Sequence, residues 1–176
     1  MPPKYAHLEI ERRFLLRHLP ADAVTRTRRI ADRYLLGTAL RLRQLSEPGQ
    51  PTIFKLTQKL PDPANPQHHS VTTIYLTEPE FAVLSQLPAL TLAKTRLSVP
   101  PFGVDVFEGP LHGLLLAEAE FPDPFSAAAL ALPPFLFREV TADLRFTGGR
   151  LASTSRPGLL AALAAYGLTP PDPSPC

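Results

Sequence analysis

Cysteine is nearly absent from this chain: its 176 residues hold one, Cys176, at the last position. A lone cysteine excludes a disulfide framework within the chain and any cysteine-built metal site, and a reducing, cytoplasmic home is the expectation that follows. Long apolar runs are missing too. The longest, around 113–117 and 159–165, fall well short of the ~20 residues of a membrane helix, so no membrane span is expected. No apolar signal core precedes Glu9, Glu11, Arg12 and Arg13, which speaks against secretion. Charge of one sign is not in excess. Lys and Arg number 18 against 16 Asp and Glu, a net +2, too even for a protein that coats nucleic acid. Solenoid-type repeats are absent. His68 and His69 have no spaced histidine partner and read as a polar loop end rather than a zinc site.

Proline is what the chain has in abundance. Its 22 prolines are more than twice the usual ~5%. Half of them fall at 61–66, 100–101, 133–134 and 170–175, where they mark loops and turns. A hydrophobic share of 44% with 19% charged is that of a globular chain, and the length suits one domain. Residues 1–168 are expected to form it, with 169–176 a disordered, proline-rich tail.

Alternation of apolar with polar or charged residues predicts strands over 7–16, 33–45 (broken near Gly37), 51–60, 68–77, 93–99, 102–107, 114–121 and 141–146. Helices are expected over 78–87, where Thr77 and Glu80 form a capping-box pattern, over 125–132, and over 157–166 before Gly167. A further helix is expected within 21–29. About eight strands with a few helices in the connections predict an α+β protein, a closed eight-stranded antiparallel β-barrel.

The strand faces carry the chemistry, because residues i, i+2 and i+4 share a face. Glu9, Glu11 and Arg13 share one, with Ile10 and Phe14 opposite. Arg41 and Arg43 share another, as do Lys55 and Lys59, Lys94 and Arg96, and Glu118 and Glu120. Each pair alone suits the wet face of a sheet. Together they suggest a shared interior, in which carboxylates from both ends of the chain meet a cluster of cations. Such an interior is costly when empty. A polyanion with Mg²⁺ or Mn²⁺ resolves it, since Arg and Lys bind phosphate oxygens and paired carboxylates bind hard cations.

These residues resemble the CYTH superfamily, the triphosphate tunnel metalloenzymes. Glu9-Ile10-Glu11-Arg12-Arg13 is similar to its ExExK motif. The ordered series Tyr34-Leu35, Leu40 to Arg43, Phe54-Lys55, Lys94 to Arg96, Val104 to Phe107, Leu116 to Glu120 and Glu139 to Asp143 extends the likeness from about His7 to Leu151. The resemblance implies an eight-stranded tunnel for triphosphate compounds. Members hydrolyse inorganic, thiamine or nucleoside triphosphates, act as class IV adenylate cyclases, or process RNA 5′-triphosphates. It implies metal ligation by Glu9, Glu11, Glu118 and Glu120, with Asp105 a fifth candidate. Arg13, Arg41, Arg43, Lys55, Lys94 and Arg96 would contact phosphate, with Arg145 near one mouth. Arg13 and Tyr34 stand where some members pair Lys with Tyr in catalysis. The expected partner is a small triphosphate, with inorganic triphosphate favoured and nucleic acid disfavoured; a homodimer is left open.

Two departures stand out. Arg13 replaces the motif lysine, and arginine stays protonated, so it anchors anions but accepts no proton. On the fourth strand Val71 and Thr73, after His69, occupy positions where the family carries an acidic pair. The interior loses two negative charges, which leaves a non-catalytic phosphate-binding module as the alternative. Arg26, Arg28 and Arg29 read as a solvated helix face, the stripe 159–163 as a docking or core face, and Ser153, Thr154 and Ser155 form no triad.

Overall fold

A computed structural model describes residues 4–171. Nine strands run through the described residues: β1 (His7–Leu16), β2 (Arg26–Leu35), β3 (Leu40–Ser46), β4 (Ile53–Asp62), β5 (Asn65–Leu76), β6 (Ala89–Val99), β7 (Phe102–Phe107), β8 (Leu115–Phe121) and β9 (Leu136–Glu139). The sheet order is β5-β4-β3-β2-β6-β7-β8-β1, and β1 pairs back onto β5 through His7↔Val71 and Glu9↔His69. That pairing closes an eight-stranded antiparallel barrel, as expected, and removes the open edges a flat sheet would leave. β9 extends the same side of β1 beyond β5, with Phe14 opposite Glu139.

Four helices decorate the barrel: α1 (Glu78–Leu84), α2 (Pro124–Ala128), α3 (Gly148–Leu151) and α4 (Arg156–Ala164). α1 starts with the capping box read from the sequence. Thr77 Oγ1 accepts from the Glu80 amide, while the Glu80 carboxylate accepts from the Thr77 amide at 2.7 Å. α4 is capped by Ser155, and Pro157 sits in its first turn.

Three expected elements differ. The helix within 21–29 is a single 3-10 turn, Ala21–Ala23, and Arg26, Arg28 and Arg29 lie on β2 instead. Arginine has no strong β preference of its own; ladder pairing of this segment with β3 and β6 decides its state. The expected strand over 33–45 is the end of β2, a turn with Gly37 at φ 71°, and β3. The expected last strand over 141–146 is a turn and a 3-10 segment, Leu144–Phe146, and the ninth strand precedes it. There Asp143 accepts from the Arg145 amide at 3.0 Å, a local bond that competes with a ladder.

Apolar packing lies outside the barrel wall and across one of its ends. Outward-facing Phe14, Leu16, Phe102, Val104, Ala117 and Ala119 pack beneath Leu130, Phe135 and Leu136. Inward-facing Leu15, Leu92, Phe107 and Leu116 instead join Phe146, Leu151, Leu159 and Leu163. The last turns of the chain therefore plug one mouth, which bears out the stripe 159–163 as a docking face. From the proposed tail, Pro170 lies against Gly113 and the Pro171 carbonyl accepts from Arg156 at 2.7 Å; 172–176 lie outside the described residues. No described helix is long and apolar enough to cross a membrane.

Candidate active site: a charged barrel interior

Register alone places the charges. Residues directly opposite in an antiparallel pair point to the same side. Glu11 lies opposite Glu120 and Arg13 opposite Glu118. Asp32 lies opposite Arg43 and Tyr34 opposite Arg41; Arg43 in turn faces Lys55. Arg96 lies between Arg28 on β2 and Asp105 on β7. All the candidate residues of the sequence reading, Arg145 excepted, thus face one lumen. Arg145 lies outside it, bonded to Asp143 at 2.6 Å and half exposed.

The lumen is organised as ion pairs. Asp32, wholly buried, accepts two bonds from Arg43 at 2.7 and 2.8 Å, and Arg41 stands 3.7 Å away. Burial works against its charge, but Arg43 and Arg41 prevail and hold its pKa below the usual range. Asp105, also wholly buried, accepts from Lys94 at 2.5 Å and from both ends of the Arg96 fork at 2.6 Å. Arg96 reaches on to Glu118 at 2.6 Å. A Cβ at Gly103 would lie 3.1 Å from the Arg96 side chain, so glycine there leaves the guanidinium room to bridge the two acids. Burial pushes the Lys94 ammonium pKa down, and Lys94 and Arg96 overcome burial to hold Glu118 well below the carboxylate range.

Across the lumen, Lys59 donates to Glu9 and, at 2.6 Å, to Glu11. His69, read as a loop end, is instead buried inside with Nδ1 3.9 Å from Glu11. Burial and the nearby Lys59 lower its pKa, so it is a neutral imidazole at pH 7. Glu120 makes no ion pair among the described residues; burial first, then Glu9 and Glu118, raise its pKa.

Arg13 and Tyr34 sit at the plugged end. The Arg13 guanidinium donates to the carbonyls of Phe146 (3.2 Å) and Thr141 (2.8 Å), tying the plug to β1. Burial, then the Asp32 charge, push the Tyr34 phenol up to about 12. A Cβ at Gly148 would lie 2.0 Å from its hydroxyl, so α3 can approach only as glycine.

Sequence reasoning names most of this lining but misses four members. Lys59 shares a face with Lys55 without an assigned role, Asp32 lies between residues of no clear pattern, Arg28 falls in an expected helix and His69 at an expected loop end. Arg28 and Asp32 share one face of β2 with Ile30 and Tyr34, a mixed face that gives no contrast to mark the strand. Two surface clefts of about 250 and 350 Å³ flank α4 outside the plug, away from these charges.

Glu9, Glu11, Glu118 and Glu120 offer a divalent cation only oxygen donors, from two adjacent strands. No cage of three or more acidic or histidine side chains is formed among the described residues. Such an open donor set suits Mg²⁺ or Mn²⁺, which are commonly held by one or two carboxylates plus substrate phosphates. Asp105 fits poorly, because both its oxygens are engaged by cations.

A closed eight-stranded antiparallel barrel with this charged lumen is the CYTH-type tunnel fold, and the chain has it. No family model matches the sequence, nor does any curated protein. Among solved structures the chain is similar to the inorganic triphosphatase NE1496, at 28% identity over 82% of this chain and 93% of that one, TM-score 0.54. A second crystal structure of NE1496, described there as a hypothetical protein, matches at 28% identity, 84% of this chain and 99% of that one, TM-score 0.55. The architecture is therefore triphosphatase-like, and the family resemblance of the sequence extends to the fold.

Proposed function

We propose that this protein hydrolyses a triphosphate-containing substrate with Mg²⁺ or Mn²⁺ and that inorganic triphosphate is the preferred one. The observation that carries the reading is the lumen itself, where rows of Arg and Lys face carboxylates on adjacent β1 and β8. NE1496, of similar fold, is an inorganic triphosphatase.

Arg41, Arg43 and Lys55 on β3 and β4, with Lys94 and Arg96 on β6, bind phosphate oxygens. Asp32 and Asp105 aim these cations by bonding them in fixed positions, so little reorganisation is left for the reaction. Glu9, Glu11, Glu118 and Glu120 would hold the metal, which would supply neutralisation of phosphate charge and acidification of the attacking water. The apolar plug of Phe146, Leu151, Leu159 and Leu163, seated on Leu15, Leu92, Phe107 and Leu116, shuts one mouth, so substrate enters and product leaves by the other. Arg13 holds the plug in place, and Tyr34 remains a neutral hydroxyl at pH 7; neither accepts a proton in this scheme.

That loss of a Lys-Tyr base supports one second reading, a module that binds triphosphate without turnover. Phosphate release from inorganic triphosphate, thiamine triphosphate and ATP, each with Mg²⁺ and Mn²⁺, separates the two. Release with metal is expected. Thermal stabilisation by triphosphate with no release at high protein concentration would establish the binding module instead, and cyclic AMP from ATP with Mn²⁺ would establish a cyclase.

A further inference from the structure

Lys59 bonds two of the four carboxylates assigned to the metal, although its own strand does not touch theirs. β5 stands between β4 and β1, and Val71 lies opposite Lys59 on one side and His7 on the other. An acid at Val71 would hold the ammonium on its own wall. Valine offers nothing, so Lys59 spans β5 to reach Glu9 and Glu11. Its side chain keeps 29% exposure while Glu9 and Glu11 keep 16% and 7%. Of the three side chains that of Lys59 is the least covered and that of Glu11 the most.

We propose that Lys59 is the built-in counter-ion of the Glu9–Glu11 pair, which keeps free metal off these carboxylates until a polyphosphate takes the ammonium over. Metal and anion are then coupled: phosphate oxygens accept the three Lys59 N–H donors, and the released carboxylates complete the metal's oxygen shell. Without the anion, a cation must compete with a partly desolvated ammonium at hydrogen-bond distance. With it, each ligand removes a cost from the other, and the coupling is reciprocal. Two other groups stand against Glu11 Oε1, Arg13 at 3.8 Å and His69 at 3.9 Å, both beyond hydrogen-bond distance, and Arg13 spends its terminal N–H groups on the Phe146 and Thr141 carbonyls, so neither replaces the Lys59 ammonium. Arg96 holds Glu118 in the same manner, so the acid with no cation of its own is Glu120, too little to retain metal alone.

The proposal rests on the metal-and-triphosphate reading, and its test needs no turnover. Mn²⁺ binding is followed by electron paramagnetic resonance on wild type, Lys59→Met and Lys59→Arg, without anion and with an imido analogue of triphosphate that resists hydrolysis. Wild type is expected to bind free Mn²⁺ weakly and to tighten with the analogue. Lys59→Met is expected to bind free Mn²⁺ roughly tenfold tighter or more, with a rise in melting temperature on adding Mn²⁺ alone. Lys59→Arg, which keeps the charge, is expected to follow wild type and shows that an altered fold is not the cause. Free Mn²⁺ held equally by wild type and Lys59→Met, or by neither, would overturn the proposal. Absence of phosphate release would sink the hydrolase reading and leave this coupling standing.

Discussion

Replacing Asp32 by Asn removes one charge from the lumen without changing its shape, and the consequence for stability can be worked out. Asp32 is fully buried and holds Arg43 through two bonds of 2.7 and 2.8 Å, with Arg41 3.7 Å away. The Arg43 side chain is itself only 13% exposed. Removing one partner of a buried pair typically costs about 3–5 kcal/mol, because the remaining charge stays desolvated. Asn retains one acceptor and Arg43 keeps some access to the lumen, so the lower end applies, about 3 kcal/mol. For a chain of this length each kcal/mol lowers the melting temperature by about 2–4 °C, giving a fall of about 6–12 °C. Thermal melts and urea titrations of both proteins measure it. Adding inorganic triphosphate or sulfate should restore more stability to Asp32→Asn than to wild type, since the anion supplies the missing negative charge. A loss below about 1 kcal/mol would refute the reasoning, because it would mean that Arg43 is hydrated like a surface residue.

Glu118→Gln is expected to abolish metal-dependent phosphate release while leaving the barrel folded, which activity with Mn²⁺ and circular dichroism together would show. Gly148→Ala should destabilise the plug by about 1–3 kcal/mol, because its Cβ meets the Tyr34 hydroxyl at 2.0 Å. Tyr34→Phe in the same chain should recover part of that loss, and a double-mutant melting cycle with strictly additive effects would disprove the contact. Asp143, bonded by Arg145 and Tyr166, has its pKa lowered to about 2. A depressed acid stabilises the fold above its unfolded pKa, and that stability is lost as pH falls from about 4 toward 2. Asp143→Asn should flatten this part of the stability–pH curve, and an unchanged slope would count against the pairing.

Strands β1, β4, β7 and β8 were legible from sequence because each has one apolar and one charged face, and period-two alternation needs no knowledge of neighbours. The same alternation put Glu9, Glu11, Arg41, Arg43, Lys94, Arg96, Glu118 and Glu120 on shared faces. β2 was hidden because its first four residues are polar on both sides, one set facing a charged lumen and the other solvent, so no contrast marks the strand. The span 141–146 looked like a strand, yet a local bond from Asp143 turns the chain there.

Local pattern determined which residues share a face; only tertiary structure decided what each face meets. Closure depends on His7 to Ile10 finding His68 to Val71, some sixty positions away, and no short-range signal encodes that pairing. Once the sheet closes, distance across the lumen replaces distance along the chain. Lys59 then neutralises Glu9 and Glu11 from two strands away, Asp32 claims Arg43, and Leu159 and Leu163 stop one mouth. Charges in a small enclosed volume choose partners by geometry and desolvation, which are properties of the closed barrel and of no single strand.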